Sequence, residues 1–339
     1  MPVFAYAIVL TIPLFAALLL PSVSAWALTA LFWLGVPLLD ACIPASRRNA
    51  PAPEEQARQR SRAFDALLYV AVPVQIAWVL WFVQGAHLLT PAEFVGGVLF
   101  SGTTCGVLAI NVAHELGHRS RRFEQRLAKI LLVTTLYTHF YVEHNRGHHA
   151  RVATPDDPAS ARRGETVYAF WVRSLLGGLR HGFQLEADRI ARAGGRVWSF
   201  ENEVVRWKFA EATAVLGIWA AFGAVAVLAF LGSSLVAVLL LETVNYVEHY
   251  GLARARKDTG AFERVRPAHS WTSDHPIGRA LLFDLPRHAD HHANPTRPFQ
   301  VLRHCPEAPE LPTGYAGMVL IALCPPVFFG LMHRRLAPC

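Results

Sequence analysis

Histidines occur in four tight groups in this chain, at spacings that suit metal binding. "HELGH" places His114 and His118 four residues apart, and "EHNRGHH" contains His144, His148 and His149. Four further histidines, in "NYVEHYG" and "RHADHH", are His249, His288, His291 and His292. Residues three and four apart share one face of a helix, so the first pair and the last three are each expected to direct their imidazoles to one point. The nine histidines are therefore candidate metal ligands.

The number of histidines indicates which metal to expect. Neutral imidazole binds zinc, copper, iron and nickel, but nine imidazoles exceed the four positions of a tetrahedral zinc site. Two six-coordinate irons offer roughly twelve positions, which leaves roughly three for oxygen, water or a carboxylate. Two rivals remain open, because "HELGH" alone also matches a zinc-binding HExxH pattern and because pairs of histidines bind haem. Haem is disfavoured because these ligands crowd within single helical turns, and the pattern favours a non-haem diiron site.

The rest of the sequence is typical of a membrane protein. Apolar residues make up 53% of its 339 positions, and apolar stretches recur at the length of roughly 20 residues that crosses a bilayer as a helix. The predicted spans are residues 3–20, 24–43, 65–84, 92–113, 210–230 and 233–250. A secretory signal ending at "PSVSA" is disfavoured, because no basic residue precedes the apolar run and a second span follows at once.

Arginines indicate which side of the membrane each loop faces, because short basic loops stay in the cytoplasm. The turns near residues 21–24, 85–91 and 231–234 contain no Lys or Arg, whereas the loop after the second span and the stretch 119–208 are rich in arginine. The spans then form three hairpins in an inner membrane, with both termini cytoplasmic. The net charge of +7 suits lipid headgroups or an acidic protein partner, and no nucleic acid is expected.

We therefore predict an all-α membrane protein, with six transmembrane helices and a cytoplasmic helical cap that carries the histidine-rich diiron site. The cap comprises residues 119–208 and 251–339, and the whole chain, 1–339, forms one domain. Near its end, Pro325 and Pro326 predict a broken helix at the membrane surface in place of a seventh span.

The histidine groups and the residues around them resemble a known family. The matching segments are "NVAHELGHR", "EHNRGHHARVATPDDPASARRGETVY", "NYVEHYGL", "HSWTSD" and "RHADHHANPTRPFQVLRHCPEAPELPTGYAGM". From the second span onward, the chain resembles the integral-membrane alkane 1-monooxygenases, within the fatty acid desaturase and hydroxylase superfamily. The resemblance implies that two irons bound by the nine histidines insert oxygen from O2 into the terminal C–H bond of an alkane. It also implies that NADH supplies electrons through rubredoxin reductase and rubredoxin.

Several further residues are expected to serve this site. The resemblance places Trp33 in the alkane channel, where it would limit chain length, although packing at the interface is an alternative role. Acidic residues beside the ligands are expected either to fix imidazole orientation by accepting N–H bonds or to serve only helix polarity or a salt bridge, with Glu248 favoured for the first role. An acid inside the second span is expected to face the same site. These acids are Glu115, Glu143, Glu248, Asp290 and, in the second span, Asp40.

The last histidine group departs from the family pattern. Where the family usually has HLQRH, this chain has "DLPRH", so that Asp284 and Pro286 replace His and Gln. Proline is tolerable in the first turn of a helix, and Asp284 is expected to alter the surroundings of the ligands.

Three other functions stay open at this level. One is hydroxylation of methyl groups on alkyl-aromatic or terpene substrates, and another is desaturation of acyl chains. The third is a membrane metal or electron-carrier protein without catalysis.

Overall fold

Helices form the regular structure of this protein. The structure is a computed structural model that describes residues 1–20 and 23–336, so Cys339 lies outside the described part. In that part, fifteen α-helices are found, along with two isolated bridges between short extended segments. The helices are α1 Val3–Leu19, α2 Ala25–Cys42, α3 Ala52–Arg60, α4 Arg62–Gly85, α5 Pro91–Cys105, α6 Asn111–Gly117, α7 Arg122–Val133, α8 His139–Glu143, α9 His149–Arg151, α10 Val167–Arg192, α11 Glu203–His249, α12 Pro276–Leu281, α13 His288–Ala293, α14 Tyr315–Ala322 and α15 Pro325–Met332.

Four apolar helical stretches in the described part are long enough to cross a membrane. They are Ala25–Cys42, Arg62–Leu88, Pro91–Gly117 and Glu203–His249. A fifth apolar helix, Val3–Leu19, is shorter. Large apolar side chains such as Leu18, Leu38 and Leu216 are exposed on these helices. A soluble protein rarely exposes so much apolar surface, so these faces have the character of lipid-facing surface. Together with the four long apolar helices, they agree with the prediction of a helical membrane protein.

The longest helix, α11, is a pair of antiparallel arms. Gly223 breaks it with a φ of 81° and a ψ of −173°, a conformation that essentially only glycine adopts. At the two ends, Glu211 accepts bonds from the N–H and hydroxyl of Thr138, and Glu242 accepts one from the neighbouring Tyr137. A straight helix would separate these two glutamates by roughly 45 Å, so the chain must reverse at Gly223.

The predicted turn at residues 231–234 is therefore wrong. Gly232 is helical and packs so closely on Val98 that an added Cβ would lie 2.9 Å from its Cγ1. At Gly102, an added Cβ would lie 2.4 Å from the Cβ of Val236 and 2.8 Å from the carbonyl oxygen of Ser233. The small residues "GSS" let α5 and the second arm of α11 approach closely and do not form a turn.

The segments between and after the long helices form a second layer. Helices α7, α8, α9 and α10 lie within residues 119–208, so this segment is helical, as predicted. Beyond α11, α14 and α15 are separated at Leu323 and Cys324, and Pro325 and Pro326 begin α15. The proline pair thus breaks a helix as predicted, because proline is favoured in the first helical turn and disrupts a helix interior.

Contacts between distant parts of the chain hold this layer to the long helices. Near the N-terminus, Tyr6 of α1 donates a hydrogen bond to Asp284, just before α13. The connector after α2 is fastened by Arg287, whose guanidinium donates to the carbonyl oxygens of Ser46 and Arg48. The last histidine group is therefore tied directly to the first 50 residues.

Candidate metal centre

The nine predicted ligands come together in the fold, as two adjoining groups. The first group is His114, His118, His144, His149 and His291, and the second is His148, His249, His288 and His292. In each group, one nitrogen from every ring lies within 4.8 Å of all the others. The groups adjoin, since the rings of His149 and His292 stack with centroids 4.5 Å apart.

The helices that carry the first two histidine segments contain wider turns, and the second of these turns decides which histidine faces which group. Residues Gly106–Ile110, before α6, and His144–His148, between α8 and α9, form π-helical turns. In the second of these turns, the N–H of His149 bonds to the carbonyl oxygen of His144, five residues back. In a regular α-helix His148 would share the face of His144; here His149 takes that place and His148 turns to the other group. Such π-bulges are frequent at functional sites.

The last histidine segment is also divided between the groups. In α13, His288 and His292 join the second group, whereas His291 joins the first. The expectation that all three point to one position is therefore wrong for His291. Helix α13 lies between the two groups and supplies ligands to both.

The inward nitrogens have the separations of ligands that share a metal ion. In the first group, Nε2 of His144 lies 3.1 Å from that of His118 and 3.0 Å from that of His149. In the second, the Nε2 atoms of His288 and His292 are 2.9 Å apart. A metal with imidazole bonds of roughly 2.1 Å sets neighbouring ligand nitrogens roughly 3 Å apart. The donor sets therefore fit two metal ions.

Hydrogen bonding between the rings does not explain this crowding. A neutral imidazole has one donor and one acceptor nitrogen, so three or more converging Nε2 atoms cannot all pair with one another. The buried Nε2 of His114 has no hydrogen-bond partner at all among the described residues. A metal cation binds the lone pairs of several converging nitrogens at once, so each inward nitrogen gains a partner.

Burial keeps most of these imidazoles neutral. Desolvation lowers the pKa of His144, His291 and His292 well below the usual range, and the neighbouring imidazoles lower it further. A neutral ring keeps the lone pair that binds a metal. His148 differs: burial lowers its pKa, but the carboxylates of Asp157, Glu143 and Glu242 together raise the pKa above its usual value.

Asp157 is a site residue that the sequence reasoning missed. Its buried Oδ2 lies 2.8 Å from Nδ1 of His148, the nitrogen that faces away from the group. The same oxygen accepts a bond from the hydroxyl of Ser160, and the N–H of Ala159 bonds to Oδ1. A carboxylate that accepts the outer N–H fixes the ring and strengthens its metal-binding nitrogen. The only sequence signal was the acidic pair in "TPDDPAS", nine residues after His148.

Four of the five predicted acidic residues bond to groups other than the candidate ligands. Glu115 bonds to Arg119, Glu143 to His181, and Asp290 to Arg297. Asp40 accepts bonds from the N–H groups of Ile277 and Gly278 at the start of α12. Within the described residues these four make no hydrogen bond to a candidate ligand. Glu248 alone lies beside one, with Oε2 3.2 Å from Nε2 of His288.

The two unusual residues of the last group have structural partners. Asp284 bonds to Tyr6 and to Nε of Arg279, so it contacts the scaffold and not the imidazoles. Pro286 lies before α13 and not in its first turn, and its carbonyl oxygen accepts the N–H of Ser273. The residue that positions α13 is Arg287, which contacts Asp274, Leu302 and the connector after α2.

An apolar cavity adjoins the metal centre. Trp33 lies in its wall, with Leu240 and Leu282, and its indole N–H donates to Thr103. Two polar residues also line it, Asn111, one turn before His114, and Tyr315, whose hydroxyl donates to Glu248. Tyr315 thus links the cavity wall to Glu248 and, through it, to His288 of the second group.

Comparisons with known proteins agree with this architecture. The family model described as "Fatty acid desaturase" matches residues 89–321. Alkane 1-monooxygenase from Pseudomonas putida is 40% identical over 308 residues, which cover 89% of this chain and 76% of that protein. Alkane 1-monooxygenase from Acinetobacter baylyi is 38% identical over 305 residues, 88% of this chain and 74% of that protein. The hydroxylase component of a xylene/toluene monooxygenase from Pseudomonas putida is 27% identical, over 80% of this chain and 73% of that protein.

The fold and the site thus define a helical membrane protein with a histidine-rich metal centre of the fatty acid desaturase type. With identities near 40% along most of its length, the chain belongs to the alkane 1-monooxygenase family.

Replacing Asp157 with Asn tests its role at His148. The amide presents a poorer acceptor to the outer N–H, so we expect metal affinity to fall roughly 10- to 100-fold. Metal retained by purified protein after dialysis against a chelator measures the change. Asp156→Asn is the matched control, because Asp156 is the neighbouring acid and is exposed; equal metal loss in both variants would contradict the assignment.

Proposed function

We propose that this protein is a non-haem diiron monooxygenase that hydroxylates the terminal methyl group of alkanes with O2. The observation that supports it best is the pair of buried imidazole groups beside an apolar cavity, in a chain that belongs to the alkane 1-monooxygenase family. In the reaction one oxygen atom enters the alcohol and the other leaves as water, which consumes two electrons and two protons. The nine histidines are proposed as the ligands of two irons, and these irons, when bound, supply the activation of O2.

The role of the chain is to hold the metals and to aim the substrate. An alkane has no polar group to recognise, so an apolar cavity must position it by shape. Phe32, Trp33 and Val36 of α2 line that cavity, and α2 exposes apolar side chains to lipid on its other faces. We propose that the alkane reaches the cavity from the bilayer and that Trp33 limits its length.

Electrons are proposed to arrive from rubredoxin, which is reduced with NADH by rubredoxin reductase. His118 and His149, both in the first group, are partly exposed, whereas the second group is fully buried. Arg121 and Arg122 follow His118 closely and are exposed. An acidic electron carrier would be attracted to this basic surface, next to the metal-binding group that reaches the protein surface.

We further propose that the whole chain is one domain with six membrane crossings in a bacterial-type inner membrane. The crossings would be α1, α2, α4, the α5–α6 helix and the two arms of α11. The bond between Tyr6 and Asp284 supports a single unit, because it joins α1 to the last histidine group. Arginines concentrate in the segments between α6 and α11 and after α11, which supports a cytoplasmic cap and cytoplasmic termini.

Product analysis with purified protein tests the activity. With NADH, rubredoxin reductase and rubredoxin, we expect octane or hexadecane to give the 1-alkanol, and omission of rubredoxin to stop the reaction. His149→Ala should abolish turnover because it removes a proposed ligand, whereas His87→Ala, at an exposed histidine outside the centre, should retain it. Xylene is included because of the xylene/toluene relative. Preferred conversion of xylene or limonene, formation of alkenes, or no turnover with any substrate would contradict alkane hydroxylation.

Replacing Trp33 with Ala tests its effect on chain length. The larger cavity should accept longer chains, and each methylene held in an apolar pocket is worth roughly 1–3 kcal/mol. We therefore expect the ratio of hexadecane to octane oxidation to rise about tenfold or more. Trp219→Ala is the control, because that tryptophan is 60% exposed on α11. An unchanged ratio in Trp33→Ala would show that this residue does not limit the substrate.

Single cysteines in a background without the native ones test the topology. Six crossings place His87→Cys and Phe222→Cys on the outer side, because each lies at a turn between helices, and Trp198→Cys on the cytoplasmic side. A membrane-impermeant maleimide should label the first two in cells with a permeabilised outer membrane, and the third only after the inner membrane is broken. Labelling of residue 222 with the cytoplasmic set would contradict the arrangement.

A further inference from the structure

Asn111 has an unused hydrogen-bonding group in the wall of the apolar cavity. The residue begins α6, directly after the π-helical turn Gly106–Ile110, and is 5% exposed. Its side-chain nitrogen, Nδ2, is buried and has no hydrogen-bond partner among the described residues. Most of the other side chains in the wall are apolar, such as Phe32, Leu240 and Leu282. A buried amide without a partner is costly, so this position suits a ligand that supplies a polar atom.

The polar part of the cavity wall lies toward the metal centre. Asn111 is three residues before His114 in the same helix, and residues three apart share one face of a helix. Tyr315, the other polar residue described above in this wall, donates its hydroxyl proton to Glu248, which lies beside His288. The residues that α2 contributes to the wall are aromatic or aliphatic. The cavity therefore combines an apolar lining with a hydrogen-bonding group near the histidines.

A linear primary alcohol matches this combination. An alkane has no atom that can pair with the Asn111 amide, whereas a hydroxyl group both accepts and donates a hydrogen bond. A buried water molecule needs roughly two to four polar partners, and the wall offers few besides Asn111 and Tyr315. In a 1-alkanol the alkyl chain contacts the apolar wall while the hydroxyl pairs with the amide, so both parts of the molecule are accommodated.

We propose that Asn111 is a specificity-determining residue that binds the hydroxyl of a 1-alkanol whose chain occupies the apolar cavity. The identification of this alkanol as the product of the enzyme rests on the proposed function. The amide makes a contact with the alcohol that it cannot make with the alkane. The cavity therefore holds a 1-alkanol more tightly than the alkane of the same length, and the product competes with the substrate for the site.

Binding of radiolabelled ligands to purified protein tests this assignment without O2 or electrons. Full-length protein in lipid nanodiscs is equilibrated with 1-octanol or octane, and nanodiscs without protein measure the uptake by lipid alone. Affinities are expressed relative to the ligand dissolved in the lipid. We expect wild-type protein to bind 1-octanol roughly tenfold more tightly than octane, because only the alcohol gives the buried amide a partner.

Variants at residue 111 connect this preference to the amide. Asn111→Leu removes the amide at nearly the same side-chain volume, so we expect it to lose the preference for 1-octanol and to bind octane nearly as before. Asn111→Ala also removes the amide and needs no extra space, so it provides the same comparison if leucine prevents folding. Gln75→Leu is the matched control, because Gln75 is a buried amide with an unpartnered oxygen outside this cavity wall. It should keep the preference.

Two results would overturn the role of Asn111. One is wild-type protein that binds octane as tightly as 1-octanol, and the other is a preference for 1-octanol that persists in Asn111→Leu or Asn111→Ala. Both results leave octane binding, and with it the proposed function, intact. Wild-type protein that binds neither ligand above the lipid blank would overturn this assignment and also contradict the substrate cavity of the proposed function, so the two failures are distinguishable.

Discussion

The structure depends on the convergence of nine imidazoles at one end of the long helices. Their inward nitrogens lie about as close as hydrogen-bond partners, at 2.9 to 3.2 Å for the neighbouring pairs, yet the rings do not have enough protons to pair with one another. Burial makes this arrangement more demanding, because a buried polar atom without a partner is costly. Two cations resolve the conflict, and the protein has to supply the order that holds the rings in place until the cations bind.

That order comes from residues remote from one another in the chain. Close packing at Gly102 and Gly232 sets the distance between α5 and the second arm of α11. Helix α5 leads through a π-helical turn into α6, which carries His114, and the second arm of α11 ends at His249. Asp157 fixes His148 from behind, and Arg287 joins the start of α13 to the connector after α2. The π-helical turn at His144–His148 then directs His149 to the first group and His148 to the second. Each of these contacts fixes the direction of an imidazole ring, and metal binding depends closely on that direction.

The surroundings of the two groups differ, and the proposed reaction uses that difference. The first group reaches the surface at His118 and His149, where an electron carrier can approach. The second is buried beside Glu248 and Tyr315, next to the apolar cavity. A site at the boundary of the membrane can receive a hydrocarbon from the lipid side and electrons from the aqueous side. Glu248 is buried near the cavity, whereas His118 and His149 lie on the partly exposed side of the first group.

Residue type and local spacing were enough to predict a helical membrane protein and to select the nine histidines, because span length and helical periodicity are properties of the chain itself. Residue type and local spacing failed where contacts between distant residues determine the local conformation or the direction of a side chain. "GSS" near residue 232 has the composition of a turn but packs within α11, and the reversal at Gly223 depends on what the two arms bind. Local order in the chain pointed to Glu115, Glu143, Asp290 and Asp40 as partners of the ligands, whereas the fold directs each of them elsewhere. Only the tertiary structure divided the nine histidines into five and four and brought Asp157 and Glu248 to them, because the direction of a side chain is set by the packing of elements that lie far apart in sequence.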